Sequence, residues 1–308
     1  MTKELDTIII GAGAAGLSAG LYAARGRLNT LIIEKGIIGG QTESTNFIDN
    51  YPGSIENSTG PLLTKRMKEQ CEQFGAKIVQ EEISEIEKLD KGFFIKTNKE
   101  EYYTKTIIIA TGAEPRLAGF KGEKEYRGKG ISYCATCDGD FFEGLDIAVI
   151  GGGDAAVEEG IFLTRFANKV TIIHRRDELR AVKSIQEKAF NNKKIDFIWD
   201  TVVEEVKGSG IVQSLILRNK KTGEISELKV DGVFVYIGYV PNSGLFKELV
   251  DIDEEGYIIG DEEMRTNVPG IFVAGDVRKK SLKQIVTAAA DGAIAGVNAE
   301  KYISENYK

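Results

Sequence analysis

Asp6-Thr-Ile-Ile-Ile-Gly-Ala-Gly-Ala-Ala-Gly16, with Leu31-Ile-Ile-Glu34 after it, can be laid without a gap over a second stretch 140 residues further on. That stretch runs Asp146-Ile-Ala-Val-Ile-Gly-Gly-Gly-Asp-Ala-Ala156 and continues to Thr171-Ile-Ile-His174-Arg175-Arg176. Each copy reads as an apolar strand, a glycine turn, a helix and a second apolar strand, the pattern of a dinucleotide-binding βαβ unit. In the first copy Gly11 permits the tight turn, Gly13 lets a pyrophosphate approach the backbone, and Gly16 allows close helix–strand packing. The helix N-terminus adds backbone donors and partial positive charge for the anion. The second copy offers Gly151, Gly153 and Ala156 at the same places, with Asp154 opening its helix.

The copies differ where nucleotide identity is decided. The first ends its second strand in Glu34, a carboxylate able to accept hydrogen bonds from ribose hydroxyls. The second carries His174, Arg175 and Arg176 there, with Arg180 close behind. Guanidinium forks match phosphate oxygens bidentately, so this cluster suits a 2′-phosphate. His174, the single histidine, reads as a neighbour of that phosphate or its ribose rather than as a general acid–base group. Two different nucleotides on one chain imply electron transfer between them.

The 308 residues suit about two domains. Hydrophobic content of 42% and charged content of 28% are those of a globular protein. A net charge of −7 argues against nucleic acid as the main partner. Apolar runs such as Ile107-Ile-Ile-Ala110 are too short to cross a bilayer, and no signal-peptide core precedes the first strand. A cytoplasmic location is therefore expected. Of three cysteines, Cys71 reads as a small buried apolar residue in a helix over Pro61 to Phe74. Cys134-Ala-Thr-Cys137 lacks the two further ligands that a zinc site needs, so no metal is expected and the pair reads as a redox dithiol. Asp138 follows at once. It either orders the turn or exchanges a proton with a thiol, because reducing a disulfide consumes protons as well as electrons.

The expected fold class is α/β, with two Rossmann-like domains that each carry a small antiparallel meander. Short strands between Lys77 and Tyr103 form the first meander, and those between Ile195 and Val230 the second. The segment Gly36 to Gly53 reads as loop, and a last helix spans about Lys283 to Glu305. Linkers are expected at Ala113–Gly119 and Val240–Gly244. The outer domain then comprises 1–116 and 245–308, enclosing a contiguous domain over 117–244.

With these motifs in place the chain resembles the low-molecular-weight, bacterial-type thioredoxin reductases among the flavoprotein pyridine nucleotide-disulfide oxidoreductases. The resemblance covers essentially the whole length. It rests on the two fingerprints, Gly39-Gly-Gln41, Asn50-Tyr-Pro-Gly53, Ala110-Thr-Gly112, Cys134-Ala-Thr-Cys-Asp-Gly139, His174-Arg-Arg-Asp-Glu-Leu-Arg180 and Gly275-Asp276. It implies FAD on the outer domain, NADPH on the inserted one, thioredoxin as partner, a homodimer, and rotation of one domain against the other. It places Glu34, Gly40, Gln41 and Asn50 along FAD, Asp276 near the ribityl chain, and Gln284 at the flavin ring. Lys35, Thr111, Gly112, Gly275, Lys283 and Ile285 complete the expected cofactor contacts. Cys137 would face the flavin, Cys134 would attack the thioredoxin disulfide, and Asp138 would be the acid–base. The sequence departs from the family pattern at Lys283, where arginine is frequent, and at Ala155, where a hydroxyl residue is frequent. A related reading is a flavin-dependent thioredoxin reductase fed by reduced ferredoxin. The intact arginine cluster argues against it.

Overall fold

A computed structural model describes residues 3–45, 48, 50–56 and 58–307. The chain divides into two compact units, one of residues up to Glu114 together with those from Val240 onward, the other Pro115–Tyr239.

In the first unit, seven strands form one sheet. Its order is Lys77–Gln80, Thr30–Glu34, Lys3–Ile10, Glu101–Ile109, Phe93–Thr97 and Ile83–Lys88, and Ile271–Val273 also pairs with Glu101–Ile109. The long strand accommodates three partners because its halves do different work. Residues 101–104 pair antiparallel with Phe93–Lys96, whereas Ile107–Ile109 pair parallel with Ile271–Val273. The centre of the sheet is covered on both faces, so Ile8, Ile9 and Ile107 to Ile109 are wholly buried and read as unbroken apolar runs. Helix Gly60–Gln73 starts on Thr59, whose hydroxyl accepts from the Leu62 N–H at 3.3 Å, with Pro61 in its first turn. Cys71 lies inside. Its thiol donates to the Leu17 carbonyl at 2.7 Å, and burial pushes its pKa up to about 12, so it is an unreactive core residue. The expected loop from Gly36 to Gly53 contains a short 3₁₀ turn, Gly40–Ser44, and passes through 46, 47 and 49, which lie outside the described residues.

Helix Ala14–Arg25 packs against the last helix, Ile285–Asn306, through small residues. Ser18 donates to the Ala289 carbonyl at 2.6 Å, and a side chain on Gly292 would run into the Ala15 carbonyl. Gly292→Ala is therefore expected to destabilise the protein by about 1–3 kcal/mol through overpacking. A lowered urea midpoint at unchanged m-value would show it, and an unchanged midpoint would refute the close approach.

The second unit holds a five-stranded, all-parallel sheet in the order Ile195–Ile198, Lys169–Ile173, Asp146–Ile150, Gly232–Val235 and Ile131–Ser132. A separate antiparallel sheet is made by Thr201–Gly208, Val212–Asn219 and Ile225–Lys229.

Both units correct the sequence reading in the same way. Lys77–Gln80 and Ile195–Ile198, read as the first strands of antiparallel meanders, are instead the outer parallel strands of the two nucleotide folds. Each is the outermost parallel strand of its sheet and keeps exposed polar residues, Lys77 and Gln80 in one and Asp196 in the other, so a short run reads like a half-exposed antiparallel strand. Among the described residues no helix is long and apolar enough to cross a membrane.

Candidate functional site

In the first unit the expected residues gather at the carboxyl ends of neighbouring parallel strands, where doubly wound folds hold their ligands. Gly11 follows Lys3–Ile10, Glu34 closes Thr30–Glu34, Thr111 and Gly112 follow Glu101–Ile109, and Gly275 and Asp276 follow Ile271–Val273. Gly11 has φ +104°, and a side chain there would strike the Ala110 carbonyl. A side chain on Gly16 would strike the carbonyl of Gly11, whereas one on Gly13 would enter open space at the N-terminus of helix Ala14–Arg25. That open space over backbone donors fits a pyrophosphate.

Glu34 does more than the sequence indicates. Its two carboxylate oxygens accept from the Ala12 and Gly36 N–H groups, each at 2.7 Å, so it fixes the turn as well as offering lone pairs to a ribose. Lys35 beside it is exposed. Gly40 takes φ +59°, and the Gln41 amide donates to the Ala113 carbonyl. Asn50 donates to the Gln284 side chain at 3.1 Å, which joins two expected contacts 234 residues apart. Gln284 also caps the last helix together with Thr287, directly before Ile285.

Thr111 and Gly112 are both tied to Asn242, a residue that no motif singles out. Thr111 donates its hydroxyl to the Asn242 carbonyl at 2.7 Å, and the Asn242 N–H donates to Gly112 at 2.9 Å. The Gly275 N–H donates to Asp291 at 3.0 Å. Asp276 has one buried oxygen, Oδ1, with no hydrogen-bond partner among the described residues; Lys280 Nζ stands 3.7 Å away. Burial raises its carboxyl pKa, opposed by Lys280 and Lys283. At the departure Lys283, the ammonium stands 4.3 Å over the Tyr257 ring, and burial lowers its pKa.

The second unit repeats the layout. Gly151 follows Asp146–Ile150 with φ +150°, and Gly153 precedes helix Asp154–Leu163. Ala156, in place of a third glycine, is fully buried, and Ala155 is exposed. Asp154 accepts from the Val182 N–H at 2.8 Å, while the Arg180 and Ala181 N–H groups both donate to the Gly152 carbonyl. The segment after His174 is thereby folded back onto the glycine turn.

His174 is 4% exposed, with its ring against Gly152 and its Nε2 lacking a hydrogen-bond partner. Burial lowers its pKa first, and Arg180, Arg176 and Arg175 lower it further, so it is neutral at pH 7. The three arginines are exposed and form no ion pair among the described residues. An unpaired cationic cluster beside a glycine turn fits an anionic group.

The carboxyl end of the same sheet also carries the cysteines. Strand Ile131–Ser132 runs parallel beside Gly232–Val235 and leads directly into Cys134, which is disulfide-bonded to Cys137 with Cα atoms 5.3 Å apart. Ala135–Asp138 forms a single helical turn, with the 3₁₀ turn Gly139–Phe142 after it. The Cys134 N–H donates to the Ser132 hydroxyl at 3.0 Å, and that hydroxyl donates to Asp138 Oδ2 at 2.5 Å. Asp138 makes no capping bond to the following turn and instead reaches back to order the approach to Cys134. Burial raises its pKa, the Ser132 bond opposes, and Asp140 adds to the rise. Beneath the pair, the Ala135 N–H donates to the Tyr236 hydroxyl at 2.5 Å. Burial, then the charge of Glu159, raises the Tyr236 pKa far above its ordinary value. Sequence reading missed Ser132 and Tyr236, and only their positions at strand ends beside known motifs could have flagged them.

Residues 5–292 match the pyridine nucleotide-disulphide oxidoreductase family. A thioredoxin reductase of Peptoclostridium litorale is 55% identical to the chain, covering 99% of each. Among solved structures, thioredoxin reductase from Streptococcus pyogenes is similar at TM-score 0.94 and 48% identity, over 99% of this chain and 100% of that one. The Lactococcus lactis thioredoxin reductase in its FR conformation matches at TM-score 0.68, also at 48% identity, over 98% and 99%. The fold class expected from the sequence, two dinucleotide-binding domains, is that of these structures. The chain belongs to the pyridine nucleotide-disulphide oxidoreductase family and, within it, to the thioredoxin reductases.

Proposed function

We propose that this protein is an NADPH-dependent thioredoxin-disulfide reductase that works through FAD and the Cys134–Cys137 pair. One observation carries the reading: the disulfide stands at the carboxyl edge of the same parallel sheet that presents Gly151 and the His174–Arg180 segment. When bound, FAD would supply two-electron chemistry able to link NADPH to a disulfide. Gly11, Gly13, Gly16, Glu34 and the orphaned acceptor on Asp276 fit FAD on the first unit. The glycine turn of the second unit and the unpaired arginines fit NADPH, and they favour it over ferredoxin as the donor. Two electrons and two protons convert the disulfide to two thiols, and Asp138 gathers or returns one of those protons. The Cys134 thiolate then attacks the thioredoxin disulfide, forming a mixed disulfide and releasing one thioredoxin thiolate. Cys137 resolves it, which leaves reduced thioredoxin and restores the Cys134–Cys137 bond. The resemblance to thioredoxin reductases supports a cytoplasmic homodimer. The test is steady-state reduction of oxidised thioredoxin with NADPH, NADH or reduced ferredoxin as donor. Turnover with ferredoxin and none with NADPH would overturn the reading.

Asp138→Asn is expected to slow thioredoxin reduction by about 10²–10⁴-fold, the usual worth of a positioned proton-transfer group. Its stability should move the other way. The folded-state pKa of Asp138 is raised, so its contribution to stability is full below the unfolded pKa and is lost as pH rises through the folded one. At pH 8 the variant should therefore melt above the wild type, with the difference shrinking toward acid pH. A lower melting point at pH 8 together with unchanged turnover would remove Asp138 from the chemistry.

The dithiol precedes Gly151 by only 14 residues, so it travels with the NADPH fold, while FAD belongs to the other unit. Alternation of the second unit between two placements lets nicotinamide and disulfide reach the flavin in turn. A cross-link that fixes the disulfide against the flavin should block flavin reduction by NADPH and spare exchange between dithiol and flavin. Full NADPH-driven thioredoxin turnover in the locked protein would contradict alternation.

A further inference from the structure

Immediately before Cys134, Tyr133 is 7% exposed and is held at both ends. Its hydroxyl donates to Glu123 Oε1 at 2.9 Å, and its carbonyl accepts from the Tyr239 hydroxyl at 3.0 Å. Glu123 is only 2% exposed, and its carboxylate also accepts from the Ala118 N–H at 2.9 Å and the Gly119 N–H at 2.7 Å. Ala118 and Gly119 belong to the otherwise exposed segment through which the chain enters this unit, and Tyr239 is the last residue before it leaves. The Arg127 guanidinium lies 5.2 Å from the Tyr133 ring centroid and holds the ring by a cation–π contact. Two of these donors share Oε1 and the third meets Oε2. A desolvated carboxylate bound three ways is a rigid junction, because each bond lost removes part of what replaces the solvation that burial took away.

We propose that Tyr133 is a positioning residue that couples both chain connections of the second unit to the Cys134–Cys137 disulfide. Resting on the reading that this unit changes placement during turnover, it means that movement of either connection is transmitted to the backbone carrying Cys134. The sulfurs then move as one body with the entry and exit segments. Buried between its two partners, Tyr133 acts through Glu123 on one side and Tyr239 on the other.

The test uses the oxidised holoprotein and amide hydrogen exchange, which needs no turnover. In Tyr133→Phe, exchange should accelerate about tenfold both at 118–119 and at 134–138, the effect of one lost buried hydrogen bond. Strands Asp146–Ile150 and Lys169–Ile173 should be unchanged. Thioredoxin turnover should fall about fivefold to tenfold, while NADPH-driven reduction of ferricyanide, a small acceptor that bypasses the disulfide, stays at the wild-type rate. Glu123→Gln combined with Tyr133→Phe should be no slower than the worse single variant, as expected for two residues on one path. Tyr239→Phe, which keeps the Tyr133 hydroxyl, should accelerate exchange at 134–138 and so preserves the test if Tyr133→Phe folds poorly. Acceleration confined to one segment, wild-type thioredoxin turnover in Tyr133→Phe, or simple additivity of the two substitutions would overturn the proposal. Failure of the wild type to reduce thioredoxin would strike the proposed function and leave the exchange result standing.

Discussion

Cys134→Ser is expected to abolish thioredoxin reduction while leaving FAD bound and reducible by NADPH. The serine hydroxyl cannot form the mixed disulfide, so the loss should reach the detection limit. The remaining Cys137 thiol cannot substitute, because one sulfur cannot both open the thioredoxin disulfide and resolve the product internally. The substitution is nearly isosteric, and the Cys134 N–H still donates to Ser132, so the helical turn should survive. Stopped-flow absorbance separates the two halves of the reaction, with flavin bleaching by NADPH at the wild-type rate and no recolouring on addition of oxidised thioredoxin. A Cys134→Ser protein that reduces thioredoxin at an undiminished rate would refute the dithiol route.

The second large effect concerns the arginines. Replacing Arg176 and Arg180 together by Ala should raise the KM for NADPH on the order of a hundredfold or more, given about 1.5–3 kcal/mol for each charge-assisted contact. NADH use should hardly change, because it presents no 2′-phosphate. The two side chains are exposed and unpaired among the described residues, so their removal breaks no ion pair. The Arg180 backbone bond to Gly152 is kept in the variant. An equal loss with both nucleotides would make the arginines supports of the turn rather than phosphate ligands.

The features legible in the sequence are those that local covalent geometry demands. Gly11 and Gly16 could be read because a Cβ at either would strike backbone, so the fingerprint is a steric requirement. The dithiol could be read because two cysteines three residues apart had no metal partners. The outer strands Lys77–Gln80 and Ile195–Ile198 were misplaced because an outermost parallel strand that keeps exposed polar residues, here Lys77, Gln80 and Asp196, reads like an antiparallel one. The supports of the site were not legible at all. Tyr236 meets Ala135 across 101 residues and Asn242 meets Thr111 across 131, and no spacing rule encodes such pairs. Glu34 was recognised as a carboxylate at a strand end, yet its bonds to the Ala12 and Gly36 N–H groups depend on a turn that only the folded chain displays.

One absorbance measurement under anaerobic conditions tests electron flow from NADPH through FAD and the Cys134–Cys137 pair to thioredoxin most directly. The purified protein should be yellow, should bleach once NADPH exceeds the two electrons that the Cys134–Cys137 disulfide takes up, and should regain its colour when oxidised thioredoxin is added, with two new thiols per thioredoxin. A protein that stays colourless, or one that bleaches with NADPH and keeps its electrons in the presence of thioredoxin and an intact Cys134–Cys137 pair, would contradict it.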